Sequence, residues 1–364
     1  MMSALCTQMH RQVRVRAVRF VALRRACVVT HRSKKEANIT VVPEHSQPFF
    51  IVGSGRSGTT LLRLILVGHS QIEIPPETWF ILPLVRELPI HELLTKGQVQ
   101  RAIDIITNDY RWPDMGMTAD ALGERAHALP SPRIVDIINI VYRQHLSLAR
   151  KPRFGDKTPP YIEIVPQLRE LYPGAKFIHL VRDGRDVAVS YIELKWHEKG
   201  YRCYERDFDW TRSLRFRESY RHTALNEHIL DVKYEDLVCD PEPTIRRICN
   251  FIGESFEPHM LEWNDRKERV PVREMKIHGK LGQPLSAGAT GRWRGKLSAF
   301  ECFITESCLE RDLRRWGYDL HYSSWKLRPL LKLTGSLLLA MGPLLVKVIP
   351  YLKRRHLLPQ NIYF

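Results

Sequence analysis

The chain has 364 residues, 44% of them hydrophobic and 26% charged, which excludes disorder as the default state and gives enough apolar mass for one large or two ordinary domains. Its formal charge of +16 sits at the ends: residues 1–48 carry +7 and residues 321–364 carry +7, leaving +2 on the 272 residues between. A nucleic-acid reader would carry its basic face on the folded body, so that class is set aside, and seven cysteines without C-x-x-C spacing signal neither a zinc site nor a disulfide framework and favour a reducing compartment.

Arg11 to Lys35 holds nine basic residues and no acid, and its apolar stretches are too short for a secretory signal or a membrane anchor. Residues 1–48 are therefore expected to be a poorly ordered basic extension, with a transit peptide or a basic arm as other readings. Folded structure should begin at Phe49 to Val52, an apolar run ending in glycine that reads as a buried strand. Helices are then predicted over Thr60 to Val67, Glu87 to Tyr110, Ile134 to Leu148 and Ile162 to Tyr172. A second buried strand follows over Lys176 to Val181, a helix from about Arg185, a strand over Ile229 to Lys233, a helix over Pro243 to Ile252, and a long helix from Ser298 to Trp316 stopped by Gly317.

Strands separated by helices imply an α/β fold with a central parallel sheet covered on both faces. Residues 49–318 are expected to form that domain, with a helical insertion over 86–150 and a Gly-rich basic segment over 276–296. Residues 319–364 read as a basic, apolar helical tail. Leu333 to Leu352 holds one charge, Lys347, but also Gly335, Gly342, Pro343 and Pro350, so peripheral membrane contact through 329–355 is expected; a packed helix pair and a span are the other readings.

The strongest local signal is Gly53-Ser-Gly55-Arg56-Ser57-Gly58-Thr59-Thr60, where a strand runs into a glycine loop and then a helix. Glycines let the backbone approach an anion closely, and the free N–H groups of a helix start point at its oxygens. The G-x-x-x-x-G spacing is that of a nucleotide P-loop, but Thr59 stands where that pattern places lysine, and the cation has moved to Arg56. A second strand-turn-helix, Phe177-Ile-His-Leu-Val181-Arg182-Asp183-Gly184-Arg185-Asp186, puts Arg182 at the strand's carboxyl end, where an open parallel sheet has its ligand crevice. Ser190, two helical turns on, would offer a hydroxyl to a second phosphate. Asp183 and Asp186 would orient Arg182 and Arg185 rather than bind magnesium, and no His cluster signals a metal.

Together these motifs resemble the sulfotransferases that use 3'-phosphoadenosine 5'-phosphosulfate (PAPS). The resemblance covers about residues 48–318 and implies a P-loop-like three-layer fold. It further implies that Arg56, Ser57, Gly58, Thr59 and Thr60 grip the 5'-phosphosulfate, and that Arg182 and Ser190 grip the 3'-phosphate. Further matches are Lys157 in Gly155-Asp-Lys-Thr-Pro159, Tyr234 in Lys233-Tyr-Glu-Asp-Leu237, and Arg292 in the late basic loop, which is similar to the segment that closes over the nucleotide in tyrosylprotein and related sulfotransferases.

The expected reaction is metal-free, in-line transfer of the sulfuryl group to an acceptor hydroxyl, leaving adenosine 3',5'-bisphosphate (PAP). Glu77, in Glu73-Ile-Pro-Pro-Glu77-Thr-Trp-Phe80, is the expected general base, because the family's carboxylate-base members place theirs after the first loop-helix unit; Pro and Glu also suit a helix's first turn. His69 and His91 are the local histidine alternatives. Arg56 and Lys157 would stabilise charge developing on the bridging oxygen. Two other classes stay open: a P-loop kinase or NTPase that holds magnesium through Thr59 or Thr60, and a non-catalytic membrane-associated protein that keeps only the nucleotide fold. Glycan, lipid and peptide all present the required hydroxyl, and the insertion, with Tyr110 and Trp112, favours a partly apolar acceptor. The expected location is the cytoplasm, at its membrane face where the tail binds.

Overall fold

Five strands, all parallel, make one sheet in the order β2-β3-β1-β4-β5. The computed structural model describes residues 47–195, 208–275, 277 and 287–322. All of these belong to one compact unit. The expectations for the basic extension and for membrane contact through 329–355 therefore fall outside the described residues. Among the described residues no helix is long and apolar enough to cross a membrane.

In chain order the elements are β1 (Phe49–Gly53), α1 (Thr59–Leu66), β2 (Ile72–Glu73), α2 (Ile81–Glu87), α3 (Lys96–Thr107), α4 (Ala119–His127), α5 (Ile134–Ala149) and β3 (Arg153–Lys157). They continue with α6 (Val165–Leu171), β4 (Lys176–Val181), α7 (Gly184–Glu193), α8 (Asp209–Tyr220), β5 (Ile229–Lys233), α9 (Tyr234–Cys239), α10 (Pro241–Ile252), α11 (Val272–Met275), α12 (Trp293–Lys296) and α13 (Ala299–Arg315). The element order is strand and helix in alternation, with three further helices between β2 and β3 where the sequence predicted a helical insertion.

Strand β1 shows why the sheet needs both helical layers. Its side chains alternate between faces: Phe50 and Val52 pack with the insertion helices, Tyr161 and Phe177, whereas Phe49 and Ile51 pack with α1, Ile178 and α10. Both sets are fully buried, so the strand reads as an unbroken apolar run. A smaller cluster around Trp210 fixes α7, α8 and α13 to one another.

Three expectations change in detail. The helix predicted over Glu87 to Tyr110 divides, because Pro89 forces Leu88 into extended backbone (φ −121, ψ 151) and α3 restarts only at the capping box of Thr95 and Gln98. The helix predicted over Ile162 to Tyr172 becomes a 3₁₀ turn, Pro159–Ile164, followed by α6 with Pro166 in its first turn. Strands β2 and β3 and helix α8 were not anticipated, although β3 lies between β1 and β2 near the middle of the sheet. Gly317, at φ 71, ends α13 as expected.

Candidate active site

The carboxyl ends of all five strands deliver the predicted residues to one crevice. Ser54 to Thr60 follow β1, Glu77 follows β2, Lys157 ends β3, Arg182 follows β4 and Tyr234 follows β5. Parallel strands place every such end on the same side, which is where open α/β sheets bind ligands.

The first loop is shaped by close approach. A Cβ on Gly53 would lie 2.6 Å from the Leu180 carbonyl oxygen, and one on Gly58 would lie 2.3 Å from the Tyr234 ring. Gly58 (φ 92) and Arg56 (φ 63) both occupy the left-handed region, so the loop turns tightly ahead of α1. Ser54 and Ser57 hydroxyls share a hydrogen bond at 2.7 Å. The Arg56 Nε donates to Ser190 Oγ at 3.0 Å and its Nη2 to the Ile277 carbonyl at 3.0 Å, so the first loop and α7 meet directly.

Arg182 reaches the same place from β4. Its guanidinium stacks 4.4 Å over the Tyr234 ring and donates to the carbonyls of Arg56 (3.3 Å) and Ala289 (2.8 Å), while its buried Nε has no hydrogen-bond partner among the described residues. Burial lowers the pKa of Arg56, and the neighbouring positive charge of Arg182 adds to that effect. Two crowded guanidiniums beside a glycine loop have the chemistry that suits an anion.

The late loop is docked by Asp186. Its two carboxylate oxygens accept from the backbone N–H groups of Gly291 (2.8 Å) and Trp293 (2.9 Å), and Arg182 lies 3.8 Å away. Asp183 instead holds Arg185 (2.7 Å), which stacks 3.9 Å over the Trp293 ring. The predicted orienting pairs are thus refined: Asp183 orients Arg185, and Asp186 principally anchors the loop. Arg292 pairs with Glu193 at 2.5 Å, near the end of α7.

Glu77 and Lys157 meet in the crevice. Lys157 Nζ donates to Glu77 Oε1 at 2.5 Å and to Thr60 Oγ1 at 3.3 Å, and the Trp79 indole donates to Glu77 Oε2 at 2.7 Å. Burial pushes the Glu77 carboxyl up, but Lys157, Trp79 and Arg111 together outweigh it and hold the carboxyl below its ordinary value. Arg111, from the insertion, stacks 4.7 Å over Trp79 and 4.0 Å over the exposed Tyr110. The insertion therefore reaches the carboxylate through one aromatic contact.

Neither alternative histidine is in the crevice. His69, past the end of α1, is buried and engages the Ser255 carbonyl (2.8 Å) and the Gln71 N–H (3.0 Å). His91 pairs on the surface with Glu170. Sequence reasoning missed two groups that support the site. Asp209 accepts from the Gly55 N–H at 2.6 Å across 154 residues of chain. Asp156, fully buried, accepts from the hydroxyls of Thr78 (2.7 Å) and Tyr142, and burial pushes its carboxyl up. Among the described residues no group of three His, Cys, Asp or Glu is placed to hold a metal.

Comparison with known proteins bears on the family and the fold. The chain is 28% identical over 278 residues to protein-tyrosine sulfotransferase 2 of Gallus gallus, covering 74% of this chain and 69% of that protein. A match to an uncharacterized protein of Aquifex aeolicus is 26% identical over 68% of this chain, and the matched stretch spans only 30% of that longer protein. Among solved structures, the sulfotransferase domain of the Synechococcus PCC 7002 olefin synthase superposes with a TM-score of 0.52 at 27% identity, covering 76% of this chain and 96% of that domain. The model of the sulfotransferase family matches residues 48–258, which take in the first loop, Glu77, Lys157, Arg182 and Tyr234, and on that ground the chain belongs to the sulfotransferase family.

Proposed function

We propose that this chain moves a sulfuryl group from PAPS to an acceptor hydroxyl by in-line displacement. The observation that carries this reading is the contact between a carboxylate and a lysine beside the helix start that follows the glycine loop, Glu77 on Lys157 next to Thr60. A transfer of this kind needs a base for the acceptor proton and fixed positive charge for the leaving oxygen, and little covalent chemistry besides.

In this account Glu77 takes the acceptor proton while Lys157 and Arg56 stabilise charge on the oxygen between sulfur and phosphorus. Ser57, Gly58, Thr59 and Thr60 hold the 5'-phosphosulfate through loop and helix-start amides. Arg182, with its buried Nε, and Ser190 take the 3'-phosphate, and Tyr234 and Arg292 line the nucleotide side. Among glycan, lipid and peptide acceptors, the name of the chicken relative brings a tyrosyl peptide forward.

The test is transfer from radiolabelled PAPS to a panel of tyrosyl peptides, glycans and hydroxylated lipids with EDTA present. Activity unaffected by EDTA is expected, and Glu77→Gln should lower kcat about 100-fold or more while PAP affinity stays within about twofold. Activity that requires magnesium and ATP would favour the kinase reading, and nucleotide binding without any transfer the non-catalytic one.

A further inference from the structure

The segment that presents Glu77 is strained, and the strain has an identifiable restraint. Trp79 sits in the left-handed region at φ 39, which a bulky side chain rarely adopts, and the Phe80 N–H turns back onto the Thr78 carbonyl to close a tight turn around it. Such a conformation persists only where its surroundings over-determine it. Here they do so through Thr78, which is 1% exposed. Its hydroxyl donates to Asp156 Oδ2 at 2.7 Å and shares a hydrogen bond with the Tyr161 hydroxyl at 2.8 Å; its N–H donates to Thr158 Oγ1 at 3.1 Å. The Tyr161 hydroxyl also accepts from the Ile81 N–H at 3.1 Å, which secures the far side of the turn.

The pairing is in register with the candidate chemistry. Residues 156 and 157 are neighbours on β3, and residues 77 and 78 are neighbours on the turn: Lys157 holds Glu77 while Asp156 holds Thr78. Consecutive strand residues point to opposite faces, so the two contacts restrain the turn from two directions. We propose that Thr78, held by Asp156 and Thr158, is a positioning residue for the transfer reaction, fixing the strained turn so that the Glu77 carboxylate faces Lys157 and the acceptor. This rests on the reading of Glu77 given above. Thr78 touches no reacting atom in this account, and its effect passes entirely through the placement of Glu77. Loss of the hydroxyl lets the turn relax and separates the carboxylate from the lysine, an error of placement that is costly for a group that must meet its proton within hydrogen-bond distance.

The experiment uses the full chain labelled with carboxyl-¹³C glutamate, with Glu77→Gln assigning the Glu77 signal. Thr78→Val keeps the shape and removes the hydroxyl. It is expected to move the Glu77 titration upward by about half a unit or more, as contact with Lys157 loosens. With PAPS and a tyrosyl peptide it should lower kcat about 10-fold while PAP affinity stays within about twofold, and Thr78→Ser should restore both. Should the valine variant not fold, Thr158→Val is the second probe, with a smaller shift in the same direction expected. A Glu77 titration unchanged in the folded variant, or a loss of kcat that serine does not rescue, overturns the proposal. A wild-type protein that transfers no sulfuryl group, with the titration shift intact, instead sinks the transfer reading on which it rests.

Discussion

Burial on its own would raise the Glu77 carboxyl and favour its protonated form, which cannot act as a base. Lys157, the Trp79 indole and Arg111 reverse that sign, so the carboxyl titrates below its ordinary value. The base is then the ionised form, and kcat/KM should be flat above the ordinary glutamate pKa of about 4.3 and fall only at lower pH. Replacing Lys157 with alanine leaves burial as the largest influence; the acidic limb of the pH profile should move upward as kcat falls, and a profile unmoved on its acidic side would contradict this account of the base. The placement of these residues was largely legible in sequence, because Arg56 to Thr60, Glu77, Lys157 and Arg182 sit in short motifs beside strand ends. Thr78, Asp156 and Asp209 were not, because their partners lie 78 to 154 residues away and nothing local marks the pairing.

At the scale of elements, Asp186 shows how a helix can dock a loop. It spends both carboxylate oxygens on the backbone of the late loop, while Arg185 supplies a stacking face for Trp293. Asp186→Ala strands two backbone donors, each worth about 1–3 kcal/mol when buried, and should weaken PAP binding about 10-fold, measured by titration calorimetry, with a melting temperature lowered by a few degrees. Strands β1 and β4 were readable from apolar runs, and β5 was also placed, all at bounds that match those observed closely. Strand β3 was not, because Arg153-Phe-Gly-Asp-Lys157 carries charge at three of five positions on a buried strand. Arg153 pairs with Glu254, Asp156 is bound by hydroxyls and Lys157 faces Glu77, so each is compensated by a tertiary contact that no periodicity shows. Gly155 belongs to the same pattern: a Cβ there would lie 2.5 Å from the Phe49 ring. The strand that carries the candidate lysine departs from the hydrophobic pattern because Asp156 and Lys157 serve the candidate site and its supports, while Arg153 is paired elsewhere.

Across the whole molecule, the buried charges on the β4-β5 side tie the fold to pH. The His179 ring is pulled below its ordinary pKa, chiefly by burial, so at neutral pH it is an uncharged hydrogen-bond partner of Asp231 rather than an ion pair. Arg217 is the ionic partner, at 2.7 Å. Burial raises the Asp231 carboxyl, but hydrogen bonds from His179 and Arg217 dominate and bring it down to about 2. Both groups bind fewer protons folded than unfolded, so their stabilisation is complete above about pH 6.5 for His179 and about pH 4 for Asp231, and is lost as pH falls through the folded values. For Asp231 the loss is about 2–3 kcal/mol at most, between about pH 4 and pH 2. Asp231→Asn should flatten the acid limb of the urea-unfolding free energy in that interval, and a limb as steep as wild type would contradict the assignment. The sheet order was foreseeable only as a class, because alternation of strand and helix fixes parallel pairing but not which strands neighbour each other.

The most direct test of the whole account is calorimetric titration of PAP into the purified protein with EDTA present, beside Arg182→Ala and with ATP as competitor. Micromolar, metal-free binding that prefers the 3'-phosphate and collapses in the variant is the predicted result. Absence of binding, or binding only of ATP with magnesium, would contradict it.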